Sequence, residues 1–287
     1  MAEWTGKSIG PLIGYRFFLF AIRTFGIRFS YFVLNFVTAY YFRFVGKIGA
    51  DLIQFYQQTL GLNKQEAATL ARRNLVLFGQ TLVDRAAFRM GKANQYSYEF
   101  INEDLLLAIK DQGAVMLSAH LGNWETAGNL LRNRVSSRIN VVMLDAEAEK
   151  IKQIMNQKTG GAGFSIIPVK DDLSHIIRIK NVLSDRELVA IHADRTSGGS
   201  RSIPLEFMGK TVNFPYGPFL IASKFDVPVT FVYSVKTGDR SYRLSATTPI
   251  TKKQSPEEVA KAYVTELESM FRQYPEQWFN YYNFLGQ

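Results

Sequence analysis

A chain of 287 residues with 47% hydrophobic content is long enough for one large α/β domain with an added lobe, and too apolar to be disordered. It has no cysteine, which excludes disulfides, thiolate metal sites and a cysteine nucleophile, and suits a reducing compartment. The net charge of +9 and the 14% aromatic content point to an anionic partner (anionic lipid, an acidic carrier protein or nucleic acid) and to a membrane interface, where aromatic rings are favoured.

Residues 11–45, PLIGYRFFLFAIRTFGIRFSYFVLNFVTAYYFRFV, are apolar and aromatic but broken by Arg16, Arg23 and Arg28. They do not read as a secretory signal, because a cationic start, a short apolar core and a small-residue cleavage site do not follow one another. The longest uncharged piece, Phe29 to Phe42, has 14 residues, short of the roughly 20 that a membrane-spanning helix needs. Residues 1–60 carry six Lys/Arg against two acids. Apolar helices with arginines that can snorkel fit an N-terminal amphipathic, hydrophobic membrane lobe lying in the headgroup layer; a buried helical hairpin is the alternative. Residues 51–92 continue as helix, with Asn63 as N-cap and Glu66 at the reciprocal capping-box position.

From Gly113 the texture changes. Residues 114–118, 140–144, 164–169, 188–192 and 228–235 read as buried strands, and 105–110, 121–134, 146–159 and 173–185 as helices. This alternation predicts an α/β fold, a mostly parallel central sheet flanked by helices, with its chemistry at the carboxyl ends of strands. No linker or repeat is visible. The chain divides into residues 1–60, a membrane-associating helical segment, and 61–287, the α/β domain, in one compact unit.

Three histidines are present, and His120 has the most suggestive setting. In SAHLGNWE it falls where a strand ends and a helix begins, five residues before Glu125. On a continuous helix the two would point about 140° apart. At a junction with Gly122 free to turn, they can meet, giving an imidazole held by a carboxylate that can take a proton from a hydroxyl. The helix N-terminus after Gly122 and Asn123 offers backbone N–H groups to an oxyanion or phosphate. A structural histidine capping that helix is the bland alternative.

A second cluster, Ile191-His192-Ala193-Asp194-Arg195, precedes a Gly/Ser-rich loop in which Arg195 and Arg201 could hold a phosphate; a solvated loop is the other reading. A third, Phe207-Met208-Gly209 and Phe214-Pro215, could line an acyl-chain groove or simply pack the core. His175 reads as structural. No histidine pair has metal-ligand spacing, and no P-loop, dinucleotide or nucleophile-elbow pattern occurs, so no metal or cofactor is expected. Scattered basic residues without a recognised motif argue against nucleic acid.

SAHLGNWE resembles the signature of the lysophospholipid acyltransferase superfamily, in particular its lipid A biosynthesis branch. The segment Val189–Arg195, the FMGK step, FPYGPFLIA, PVTFVYSV and the tail QYPEQWF follow in the order of that branch. The resemblance implies an acyltransferase using an acyl-carrier-protein or coenzyme A thioester and a lipid hydroxyl acceptor, at the cytoplasmic face of a bacterial inner membrane. His120 would be the general base, Glu125 its orienting partner and Asp194 a functional acid. Where lipid A enzymes end in a basic pair, this chain has Asn280-Tyr281-Tyr282-Asn283, which implies a small or single-headgroup acceptor rather than a bisphosphorylated one. A lipid esterase or thioesterase, and a non-catalytic membrane-binding protein, are the competing readings.

Overall fold

The computed structural model describes residues 12–44, 47–131, 137–144, 164–170, 172–196, 199–281 and 284–286. The helix expected over 146–159 lies outside the described residues. Seven strands form one sheet in the order β1-β9-β8-β2-β5-β3-β4: β1 (Ser97–Ile101), β2 (Ala114–Ser118), β3 (Ile139–Leu144), β4 (Ser165–Val169), β5 (Leu188–His192), β8 (Val229–Gly238) and β9 (Ser241–Ala246). All neighbours are parallel except β8 and β9. The α/β class with a mostly parallel sheet is therefore as the sequence predicts. A separate antiparallel hairpin, β6 (Ser202–Phe207) and β7 (Lys210–Pro215), lies apart from the sheet.

β2 is buried along its whole length and β5 nearly so, as parallel strands covered on both faces must be. One face packs under α3 (Ile48–Leu60), the first half of α4 (Lys64–Arg89), α7 (Ser174–Ser184), α8 (Tyr216–Lys224) and α9 (Pro256–Gln273). The other is covered by α1 (Leu12–Thr24), α2 (Ile27–Phe44), the end of α4 and α5 (Glu103–Ile109). α4 begins with the capping box read from the sequence: the Asn63 side chain accepts from the amides of Gln65 and Glu66, and Glu66 accepts from the Asn63 amide.

α3 belongs to the core, where Leu52 and Tyr56 are buried, and packs on α4. α1 and α2 pack on each other as consecutive helices but are not buried as the alternative reading had it, and no helix among the described residues is long and apolar enough to cross a membrane. α2 turns Ile27, Tyr31 and Leu34 inward. Leu34 lies against Gly79 of α4, where an added Cβ would come within 2.6 Å of its side-chain end and would have to displace it. Phe25, Phe29, Phe32, Phe36, Tyr40 and Phe44 follow at three- and four-residue spacing and are exposed on the opposite side.

Between the hairpin and the sheet lies a buried charged cluster. Lys236 Nζ contacts Asp84 Oδ2 at 2.7 Å and donates to Tyr31 Oη at 2.9 Å. Tyr31, Tyr96 and Tyr242 all donate their hydroxyls to Asp84. Burial, then the Asp84 charge, raises the pKa of each tyrosine, so they act as donors. Burial lowers that of Lys236 and Asp84 opposes the shift. Removing one member of such a pair strands the other charge. Asp84→Leu should lose about 3–5 kcal/mol in urea unfolding, and adding Lys236→Met should recover part of it; a double variant no more stable than the single one would show that the ion pair is not the cause.

Candidate active site

β2 and β5 are paired so that Ser118 stands opposite His192. The Ala193 amide then donates to the Ser118 carbonyl at 2.9 Å, continuing the ladder by one step. Parallel pairing in register therefore brings together the residues two positions further along each chain. His120 Nδ1 lies 2.7 Å from Asp194 Oδ1, and the His120 amide donates to Asp194 Oδ2 at 3.0 Å. Asp194 Oδ2 also accepts from Trp278 Nε1 at 2.9 Å. Burial by itself would raise the Asp194 pKa, but His120 and then Arg195 pull it below the usual carboxylate range. An ionised Asp194 places the proton on His120 Nδ1 and leaves Nε2 as an acceptor.

This corrects the expected pairing. The carboxylate hydrogen-bonded to His120 Nδ1 is Asp194, supplied by the segment after the neighbouring strand, and not Glu125. Glu125, at the start of α6 (Trp124–Leu131), is buried and forms an ion pair with Arg89, with Arg85 Nε 3.8 Å away. Arg85 Nε also donates to Asn123 Oδ1 at 3.0 Å. Arg85 and Arg89, both on α4, carry no signal in the sequence that links them to this site, because nothing in it places α4 beside α6.

Gly122 turns the chain, with φ +78, and an added Cβ would stand 2.0 Å from the Ser234 carbonyl oxygen. Its amide donates to the Gln277 carbonyl at 2.8 Å, while the Phe279 amide donates to the His120 carbonyl at 3.0 Å. The segment Gln277–Phe279 thus clamps the loop that carries His120. The Asn123 amide donates to Ser234 O at 2.7 Å, and its side chain receives Arg85 and, at 3.4 Å, the Thr126 amide. Gly122 and Asn123 shape and cap the junction here, and the backbone amides of residues 120, 122 and 123 are bonded within the protein.

The other expected substrate residues are placed differently. Phe207 and Phe214 are fully buried among Phe271, Trp278 and Phe284, so they pack the core, on the face away from the cavity described below. Gly209, with Met208, makes the two-residue β6–β7 turn at φ 72 and 52, and Pro215 precedes α8. Arg195 donates to the Phe279 carbonyl at 2.7 Å, bracing the clamp, and Arg201 is exposed over the Tyr216 ring at 4.0 Å. Asn280 is buried, and the Tyr281 hydroxyl donates to Asn74 Oδ1 at 2.8 Å, which ties Tyr281 to α4; Tyr282 and Asn283 lie outside the described residues. His175 is buried and structural, as expected.

An apolar cavity lies between the sheet and α5 and α6, lined by Met116, Trp124, Ala127, Val141, Val232 and Leu244, with Ser118 and His192 in its wall. The His192 ring stands 4.4 Å from that of His120, between centroids.

A carboxylate-held imidazole beside an apolar cavity, at the carboxyl ends of neighbouring parallel strands, is an arrangement that can take a proton from a hydroxyl or water next to an apolar group. The model of the bacterial lipid A biosynthesis acyltransferase family matches residues 12–283, and the chain belongs to that family. The protein is thus an acyltransferase. Among curated proteins, none matches.

Gly122→Ala should lose about 2–5 kcal/mol, from the left-handed backbone and the contact with Ser234 together. Urea unfolding checks this, and an unchanged midpoint would show that the loop relaxes freely.

Proposed function

We propose that the protein moves a fatty acyl group from an acyl-carrier-protein or coenzyme A thioester to a hydroxyl of a lipid or lipid-like acceptor, at the cytoplasmic face of a bacterial inner membrane. The observation that carries this reading is the His120–Asp194 pair beside the apolar cavity. Asp194 fixes the tautomer, so His120 Nε2 takes the acceptor's proton as its oxygen attacks the thioester carbonyl, and returns it to the leaving thiolate. The acyl chain lies against the cavity's apolar wall. Glu125, tied to Arg85 and Arg89, positions the junction through Asn123.

His120→Ala and Asp194→Asn should each lower transfer by about 10²–10⁴-fold with the fold retained, and Glu125→Gln should cost less than Asp194→Asn. Turnover of labelled acyl thioester, with and without lipid acceptor, checks both points. Hydrolysis alone would favour an esterase, and a larger loss at Glu125 than at Asp194 would return the orienting role to Glu125.

The exposed aromatic face of α1 and α2 supports attachment to the membrane surface without crossing it. Phe29, Phe32 and Phe36 would enter the acyl boundary, with Arg16, Arg23 and Arg28 among the headgroups. Changing the three phenylalanines to serine should weaken co-sedimentation with anionic vesicles at least about tenfold. Changing the three arginines to glutamate should mimic part of the effect of high salt. Undiminished sedimentation of both variants would refute the attachment.

A further inference from the structure

His192 has no part in the proton transfer just described, yet it is built into the site. Ser118 Oγ lies 2.8 Å from His192 Nδ1, and Nε2 is buried with no hydrogen-bond partner among the described residues. The hydrogen bond between Ser118 and His192 favours one tautomer. If Nδ1 carried the proton, the buried hydroxyl would have no acceptor; with Ser118 donating to Nδ1, the proton sits on Nε2. Burial first, and then the neighbouring His120, hold the His192 pKa well below the ordinary imidazole range, so the ring stays neutral even beside a base that becomes cationic. The result is an unsatisfied N–H in a largely apolar wall, one ring away from His120. The reaction needs such a donor. Attack on a thioester puts negative charge on the carbonyl oxygen, and the loop amides of His120, Gly122 and Asn123 are already bonded to Asp194, Gln277 and Ser234.

We propose that His192 is a second catalytic histidine, whose Nε2–H donates to the carbonyl oxygen of the acyl thioester and to the oxyanion formed from it. This assignment rests on the acyl-transfer reading. In the step, the acceptor oxygen bonds to the carbonyl carbon while its proton passes to His120 Nε2. The carbonyl π pair becomes the oxyanion lone pair, held by His192. On collapse the C–S bond breaks, and the thiolate leaves with the proton from His120.

Two measurements test it. His192→Phe keeps a ring of similar size without the N–H and should lower kcat about 10²–10³-fold with little change in KM, whereas His192→Gln, which retains a side-chain N–H, should recover part of the loss. Equal activity of His192→Phe and wild type, or equal loss in both variants, would overturn the assignment. The second measurement needs neither turnover nor acceptor. In a His120→Ala background, the carbonyl band of a bound 1-¹³C fatty acyl-pantetheine thioester should move to higher frequency when His192→Phe is added. A bound thioester whose band does not move overturns the role of His192 alone; a protein that binds no thioester overturns the acyl-transfer reading with it.

Discussion

The parallel register that sets Ser118 beside His192 fixes the site, because every pairing beyond it follows by counting along two chains. The residues at 118 and 192 share a face and bond to each other. Those at 119 and 193 are both alanine and buried, so the strands stay close, and those at 120 and 194 emerge past the strand ends as the imidazole and its carboxylate. A slip of one residue would turn each side chain to the opposite face and pair neither. The uninterrupted burial of β2 is what makes that slip costly. The geometry of the site is inherited from the hydrophobic effect acting on these buried strands.

α4 carries the second constraint. Its adjacent residues Asp84 and Arg85 serve different ends of the molecule: Asp84 gathers Tyr31, Tyr96, Tyr242 and Lys236, while Arg85 reaches Asn123 and Glu125. The two networks meet at Asn123, whose side chain accepts from Arg85 and donates to Tyr242 at 3.3 Å. A continuous polar path therefore runs from the aromatic hairpin to the junction that carries His120. Burying so many polar groups adds little net stability; its effect is geometric, since each group has few arrangements in which it is satisfied.

Much of this was legible in the sequence. Apolar runs marked β2 and β5 at their observed bounds, and the Asn63–Glu66 capping box marked the start of α4. His120 and Asp194 were both singled out, each two residues past an expected strand. Their pairing was not legible, because sequence spacing favours the nearby Glu125, and only the strand order makes Asp194 the closer carboxylate. The edge strand β1 is mostly exposed and has no apolar run, so it escaped notice. β9 alternates buried and less buried residues and has no continuous apolar run to mark it. Phe207 and Phe214 have the composition of a ligand groove and the location of a core, a distinction that depends on which sheet face they meet.

The clamp formed by Gln277–Phe279 has a consequence for how the protein acquires its shape. Trp278 holds Asp194, Gln277 holds Gly122, and Asn74 on α4 donates to the Trp278 carbonyl, so one short segment ties together regions far apart in the chain. Contacts between such distant residues contribute only after a long loop has closed, which raises contact order and delays them in folding. The loop bearing His120 takes its geometry from these distant contacts. A chain with its strands paired but this segment undocked would therefore lack the hydrogen bonds that hold His120 and Asp194 in place.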